Sequence, residues 1–347
     1  MYGGYQDVFS LELMKGVADT VYHGIPGPEQ METILEDSMD NKLKSEYHCG
    51  INIDFPFDYS IFKGKKLSYV QVITSLGCHF KCDFCCQPVL NGGTYHLRSI
   101  NNVIKDLHRV RKFSKYIGFR DANLLNRKSH IVELCSKIIE EKIDIRWAAQ
   151  CSITIGNDRK LLALMRKAGC RILFFGLETL NQDNLNSIHK PIEVASYGNL
   201  ITKVHKAGIY TAGYFMFGFE NDTMKCFNDV YSFVKKTKLA IPLINIYNPI
   251  PGTGLFERLK SEKRLDYPDL NSYLKDTPIH SLPCSKSYFT PKNMSREELE
   301  NGFTELSKKL TAYKEIFRRS LKPNLNMIVL LGLNFNLRRE YIKRNFN

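Results

Sequence analysis

The chain has 347 residues, 43% of them hydrophobic, enough for one large α/β domain with additions. Its 49 lysines and arginines exceed its 36 aspartates and glutamates, a formal net charge of +13 that favours anionic partners without choosing among nucleic acid, lipid headgroups and phosphorylated substrates. Ten cysteines without a secretory signal argue against a disulfide framework, and no run reaches the roughly 18 apolar residues of a membrane span, so the expected setting is a reducing cytoplasm.

Residues 1 to about 50 read as a strand ending at Gly24 (Val17 to Gly24) and a helix (Glu29 to Asp37). One strand and one helix cannot bury a core, so this stretch is expected to be the last βα piece of something larger. His23 and His48 read as surface histidines. Residues 42 to 66 form an irregular connection, and Leu67 to Thr74 then alternates as a strand does. Directly after it, Cys78, Cys82 and Cys85 place three thiols within eight residues, on a loop at a strand's end. A structural zinc would draw its four ligands from two separated pairs, whereas thiolates are the usual ligands of iron–sulfur clusters, and three would leave one iron open. A zinc site or a chance thiol cluster stays as the alternative at this point. Cys86 reads as a small buried neighbour.

Beyond the loop, Ser99 is expected to cap a helix with Ile100, Val103, Ile104, Leu107 and Val110 inward, and Tyr116 to Asp121 follows as a strand. Ser129 is expected to cap the next helix, with Ile131, Val132, Leu134, Cys135, Ile138 and Ile139 inward. A strand over Ile143 to Gln150 and a helix from Asp158 to Ala168 come next. An internal echo then appears: Lys167-Ala168-Gly169, a strand, and Gly176-Leu177-Glu178 are answered by Lys206-Ala207-Gly208, a strand, and Gly218-Phe219-Glu220. Repeated αβ units of this kind indicate a parallel sheet with right-handed crossovers. A sixth strand, Ile241 to Tyr247, ends at Pro249-Ile250-Pro251-Gly252-Thr253-Gly254. Residues 264 to 294 look loop-rich, Ser295 to Glu298 resembles a capping box, and Met327 to Leu333 is a short apolar run beside a basic end. That run is expected to pack on the barrel, with contact to a membrane surface as the alternative.

The C-x3-C-x2-C spacing with Phe84 before its last cysteine resembles the signature of the radical S-adenosylmethionine (SAM) superfamily. The resemblance implies that Cys78, Cys82 and Cys85 hold a [4Fe-4S] cluster whose open iron takes SAM, and that SAM is cleaved reductively to a 5′-deoxyadenosyl radical. It implies an α/β fold, a partial (β/α)6 TIM-like barrel over residues 65–262, with a βα remnant and linker over 1–50 and a loop-rich, then helical, extension over 263–347. At the strand ends, where such barrels carry their sites, it places Asp121 and Asn123 near the SAM amino group. It further implies that Gln150 and Ser152 contact the ribose and carboxylate, that Glu178 stands at a G-x-E-S position with Thr179 for Ser, and that Gly218 ends a strand supporting the adenine. Each carboxylate also has a plain reading as a helix cap. Cys151 reads as a buried thiol.

Gly3-Gly4, the strand from Ala18-Asp19 to Gly24, and the Pro249-to-Thr253 turn resemble the cobalamin-class branch, whose members include methyltransferases and an anaerobic porphyrin ring cyclase. No D-x-H-x-x-G cobalamin-ligand motif occurs in the 347 residues, so cobalamin is expected only without that histidine or from a separate cobalamin-binding subunit. The resemblance implies a small-molecule or lipid substrate and an electron donor such as ferredoxin or flavodoxin. The rival expectations are a degenerate or split barrel that is not catalytic alone, and an enzyme similar to the RNA methylthiotransferases.

Overall fold

The computed structural model describes residues 2–3, 19–266, 285–321 and 327–346. Gly4, Val17, Ala18, most of the loop expected over 264–294, Lys322 and the side chains of Lys343 and Arg344 lie outside the described residues.

Near the N-terminus, β1 (Tyr2–Gly3), β2 (Val21–Ile25) and β3 (Glu46–Ile51) pair in parallel in the order β1-β2-β3, and helix α1 (Pro28–Met39) makes the crossover between the last two. Proline at the first helical position is favourable because its missing N–H has no helical partner there. A larger, wholly parallel sheet follows in chain order, β4 (Val70–Val72), β7 (Tyr116–Phe119), β8 (Arg146–Gln150), β9 (Cys170–Glu178), β10 (Tyr210–Phe217) and β11 (Ile241–Ile246). Between β4 and β7 lies an antiparallel ribbon of β5 (Ser75–Leu76) and β6 (His96–Leu97). Helices α2 (Gln87–Leu90), α3 (Ile100–Val110), α4 (Lys128–Glu140), α5 (Arg159–Lys167), α6 (Gln182–Ser187), α7 (Tyr197–Lys206) and α8 (Lys225–Thr237) fill the crossovers. After β11 come α9 (Gly254–Ser261), α10 (Arg296–Leu310), α11 (Tyr313–Ser320) and α12 (Met327–Phe346). The six expected strands are all present, in a sheet whose spatial order is the chain order.

The helix starts follow local chemistry. Ser99, Asp158 and Ser295 each accept a backbone N–H in the first turn, and Glu298 closes the capping box of α10. Ser129 does not cap α4: the helix begins at Lys128 with Arg127 in the cap position, two residues earlier than a cap at Ser129 would place it. Val132, expected inward, is exposed, because the buried stripe of α4 runs through His130, Ile131, Leu134, Cys135 and Ile138.

Period-two alternation divides the sheet into two faces. Val70, Val72, Ile117, Phe119, Trp147, Ala149, Leu173 and Phe175 are buried under the helices, while their neighbours Gln71, Gly118, Arg120, Ala148, Gln150, Ile172 and Phe174 are half-buried or exposed. The concave face is therefore hollow. Tyr341 of α12 lies along the edge strand β11 and accepts the Ile244 N–H at 2.9 Å, a backbone group that would otherwise be open to another chain. The basic C-terminal stretch is partly internal: Arg319 is 2% exposed and donates to Asn334 Oδ1 at 2.7 Å and to the Leu310 carbonyl, while Arg338 stacks on Tyr313. Leu330 of the apolar run is fully buried and Ile328 is exposed. Among the described residues, no helix is long and apolar enough to cross a membrane.

Candidate active site

The cysteine loop sits at the C-terminal end of the parallel strands and is held from both sides. Toward β7, the buried Asp121 carboxylate accepts Thr74 Oγ1 at 2.6 Å, Ser75 Oγ at 2.5 Å and the Thr74 N–H, fixing the start of the loop. Burial raises the Asp121 pKa against the pull of these donors. Asn126 donates to the Gly77 carbonyl at 3.2 Å and turns its Oδ1 toward the His79 N–H and Cys78 Sγ. Gly77 itself has φ +90°, and a Cβ there would stand 2.2 Å from the Thr94 carbonyl oxygen, so the turn into Cys78 requires glycine.

Toward β11, Asp83 does the corresponding work. Its carboxylate accepts Tyr247 Oη at 3.0 Å and Arg258 Nη1 at 2.8 Å, and its carbonyl accepts the Leu255 N–H at 3.0 Å. Phe84 meets Tyr247 edge-on, with ring centroids 5.7 Å apart. β4 and β11 occupy opposite ends of the sheet order, yet the loop after β4 is bonded to the turn and helix after β11. The sheet thus curls into a partial barrel with the cysteine loop across its seam.

Cys82 is buried, Cys78 and Cys85 are half-buried, and none forms a disulfide. Burial, reinforced by the negative charge of neighbouring groups, pushes Cys82 up to about 11 and Cys85 up to about 12; burial also raises Cys78. The neighbours acting on Cys82 include Cys78, Glu178 and Lys190. Three thiolates this close and this dry repel one another, and only a strong local cation would let them coexist. The donor set, three soft sulfurs in a desolvated loop, suits iron better than a hard cation.

Glu178 ends β9 with φ +61°, a backbone strain rare outside glycine that clusters at functional sites. Lys190 Nζ stands 2.5 Å from Glu178 Oε1 and 2.7 Å from the Gly176 carbonyl oxygen, both side chains being about nine-tenths buried. Gly176 makes room for the pair, since a Cβ there would lie 2.2 Å from Glu178 Oε1 and 2.8 Å from Lys190 Nζ. Asn123 joins two strand ends: its Oδ1 accepts the Ser152 N–H at 2.9 Å and the Leu125 N–H at 3.2 Å, and its Nδ2 donates to Asn126. Ser152 caps the 3-10 turn Ile153–Asn157, and Gln150 faces the hollow of the barrel. Gly218 has φ +105° and donates its N–H to the buried Asp222 carboxylate at 2.9 Å, which also accepts from Phe219 and Asn184. Cys151 is 4% exposed and pushed up to about 12 by burial, as an inert thiol should be.

The structure thus brings Cys78, Cys82, Cys85, Phe84, Asn123, Ser152 and Glu178 to one end of the barrel, with Asp121 just behind the loop. Sequence reasoning missed Lys190, Asn126, Asp83 and Asp222. Asp83 alone carried a signal, lying inside the cysteine motif next to Phe84. Outside the barrel, His23 and His48 stack across β2 and β3 at 4.6 Å, both near Glu46.

Residues 72–234 of the chain, from the end of β4 through most of α8, match a family model for the radical SAM superfamily. The chain is 28% identical over 321 residues to the bacteriochlorophyllide d C-12(1)-methyltransferase of Chlorobaculum tepidum, covering 88% of this chain and 67% of that protein. It is 26% identical over 248 residues to the anaerobic magnesium-protoporphyrin IX monomethyl ester cyclase of Cereibacter sphaeroides, covering 70% of this chain and 38% of that one. The cobalamin-dependent SAM radical enzyme OxsB, with aqua-cobalamin and SAM bound, shares the fold at TM-score 0.57 and 14% identity, over 99% of this chain and 54% of its own. The radical SAM methyltransferase TsrM of Kitasatospora setae, with cobalamin and a [4Fe-4S] cluster bound, shares it at TM-score 0.55 and 13% identity, over 80% and 61%. The chain spans about two thirds or less of the length of each of these relatives.

Proposed function

We propose that this chain is a radical SAM enzyme of the cobalamin-related branch, acting as a methyltransferase or a cyclase-like biosynthetic enzyme on a small-molecule or lipid substrate. The observation that carries the proposal is the desolvated triad Cys78, Cys82 and Cys85, pinned between Asp121 and Asn126 on one side and Asp83 on the other. A [4Fe-4S] cluster bound there would supply the electron that cleaves SAM to a 5′-deoxyadenosyl radical.

In this reading the three thiolates would hold the cluster, and the contact of Phe84 with Tyr247 shields the cysteine loop from water on its β11 side. Asp121 positions the loop through Thr74 and Ser75. Lys190 and Glu178 fix the charge beside Cys82, and Glu178, Asn123, Ser152 and the Gly218 backbone are the groups offered to SAM. Gln150 faces the substrate space. Cobalamin enters the reading through a partner subunit, or without a histidine of the D-x-H-x-x-G kind, and the electron comes from a donor such as a ferredoxin or flavodoxin. The two cobalamin-containing fold relatives support this branch over an RNA methylthiotransferase.

The test is anaerobic reconstitution of the chain with iron and sulfide, followed by reduction in the presence of SAM. The expected results are the broad absorption of an iron–sulfur cluster and 5′-deoxyadenosine, both lost in Cys82→Ala. A chain that takes up no cluster would overturn the reading. A cluster without 5′-deoxyadenosine would favour the split, partner-dependent barrel.

A further inference from the structure

The hollow of the barrel is a cavity of about 790 Å³ that runs from Gln150 and Tyr214 down to the N-terminal ends of the strands. This is the upper part of the volume range for small-molecule sites. Its room comes from two small inward residues paired across neighbouring strands, Gly118 and Ala148. Phe174 and Tyr214, with ring centroids 6.1 Å apart, give it an aromatic wall.

The mouth at the N-terminal end has a different character. Arg146 and Arg171 stand at the starts of β8 and β9, and Arg166 reaches from the last turn of α5 to lie against Gly208, before β10. Among the described residues, Arg166 and Arg171 form no ion pair. Arg146 shares the Asp144 carboxylate with Lys115 and Arg111, so one negative charge is divided among three cations. Arg171 spends hydrogen bonds on the carbonyls of Arg166 and Cys170. Burial and the nearby Arg166 and Arg146 charges pull its pKa down to about 10, still protonated at neutral pH. Like charges gathered at a half-buried rim repel one another, and an anion between them relieves that cost while gaining charge-assisted hydrogen bonds.

We propose that Arg146, Arg166 and Arg171 form an anion subsite that receives a carboxylate or phosphate group on a largely apolar substrate, so that the anionic end lies at the N-terminal mouth and the reacting carbon points toward the cysteine loop. Gln150 lies four residue rises along β8 from Arg146, about 13 Å at the usual rise, so the substrate spans at least that length between its anion and its reacting end. The orientation rests on the radical SAM reading; the subsite does not.

Binding of 1-pyrenebutyrate, read by quenching of Trp147, the chain's single tryptophan, tests the subsite without cluster or SAM. The neutral 1-pyrenebutanol and dodecyl phosphate as competitor complete the series. Pyrenebutyrate should bind at least tenfold more tightly than pyrenebutanol. The double variant Arg166→Gln/Arg171→Gln should erase that preference while still binding pyrenebutanol, which also shows that the barrel remains folded. Gly118→Leu, whose nearest neighbour to an added Cβ is the flexible Gln71 side chain at 3.9 Å, should weaken both probes. Displacement by dodecyl phosphate but not by dodecanoate would assign a phosphate, and the reverse a carboxylate. Equal binding of the charged and neutral probes, no binding of either, or a preference that survives the double variant would overturn the proposal. None of these outcomes depends on 5′-deoxyadenosine formation, so a failure here is distinct from a failure of the radical reading.

Discussion

The two ends of the barrel solve opposite electrostatic problems. At the C-terminal end, the charged groups that shape the cysteine loop are paired: Asp121 with hydroxyls, Asp83 with Arg258 and Tyr247, Glu178 with Lys190. At the N-terminal mouth, Arg166 and Arg171 form no ion pair among the described residues, and Asp144, whose charge also reaches Arg171, is already spread over three partners. The first end is built to hold one geometry whether or not anything is bound, and its unmet demand is for a cation among three sulfurs. The mouth is built with a charge surplus, and its demand is for an anion.

Perturbations at the cysteine end should therefore be severe. Cys82→Ala removes the most buried of the three sulfurs and should abolish iron uptake outright, read as lost iron and sulfide after reconstitution. Lys190→Met should come next, because it leaves Glu178 buried without its cation; loss of one partner of a buried pair costs about 3–5 kcal/mol. Urea unfolding of the cluster-free chain checks this. The double variant Glu178→Gln/Lys190→Met should recover part of the loss, since it removes both charges. A single variant as stable as the parent would mean that water already screens the pair.

Asp222 offers a smaller, pH-dependent effect. Burial raises its pKa to about 6 against an unfolded value of 3.8, although the N–H groups of Gly218 and Phe219 and the Asn184 amide pull the other way. A folded pKa above the unfolded one favours the protonated form, so its contribution is fully present below about pH 4 and is lost as the pH rises through 6. Relative to Asp222→Asn, which does not titrate, the parent should lose about 2–3 kcal/mol of stability between pH 4 and pH 7. Parallel stability curves for the two proteins would show that the three donors, not burial, set the carboxylate's state.

What the sequence disclosed follows the same division. Strands and helix starts were legible because their causes are local: alternating Val and Phe in β4 and β7, and Ser99, Asp158 and Ser295 each reaching a backbone N–H in the next turn. The cysteines were legible because a loop supplies all three. Lys190 was not, since it meets Glu178 from twelve residues away, after a short helix, and no periodicity encodes that approach. Asp121 read as a residue facing the site, and the fold shows its oxygens engaged by Thr74 and Ser75, 47 and 46 positions earlier in the chain. The arginine mouth was hidden for a similar reason: Arg146 starts β8, Arg166 lies in the last turn of the following helix and Arg171 stands at the start of β9, and the three come together only when β8 and β9 pair. Ser129 was misread because α4 begins two residues before the turn that Ser129 would cap, and Val132 because it stands about 100° around the helix from Ile131, off the stripe that Ile131, Leu134, Cys135 and Ile138 bury.

The smallest expected effect is also the one that most cleanly separates the two ends. Gly77 and Gly332 are both glycines bordering a functional space, but their surroundings differ. Gly77 has a positive φ and a carbonyl oxygen 2.2 Å from where a Cβ would stand, so alanine there should distort the cysteine loop. Gly332 lies inside α12, at the cavity, with nothing within 4 Å of an added Cβ. Glycine in a helix interior is about 0.5–1 kcal/mol less favourable than alanine, because the unfolded chain gives up more freedom at that position. Gly332→Ala should accordingly stabilise the chain by that amount in urea unfolding, and its single methyl should leave pyrenebutyrate binding within twofold of the parent. A destabilised Gly332→Ala would mean that α12 packs against the mouth more tightly than its open flank allows, and the mouth would then be as rigidly built as the cysteine end.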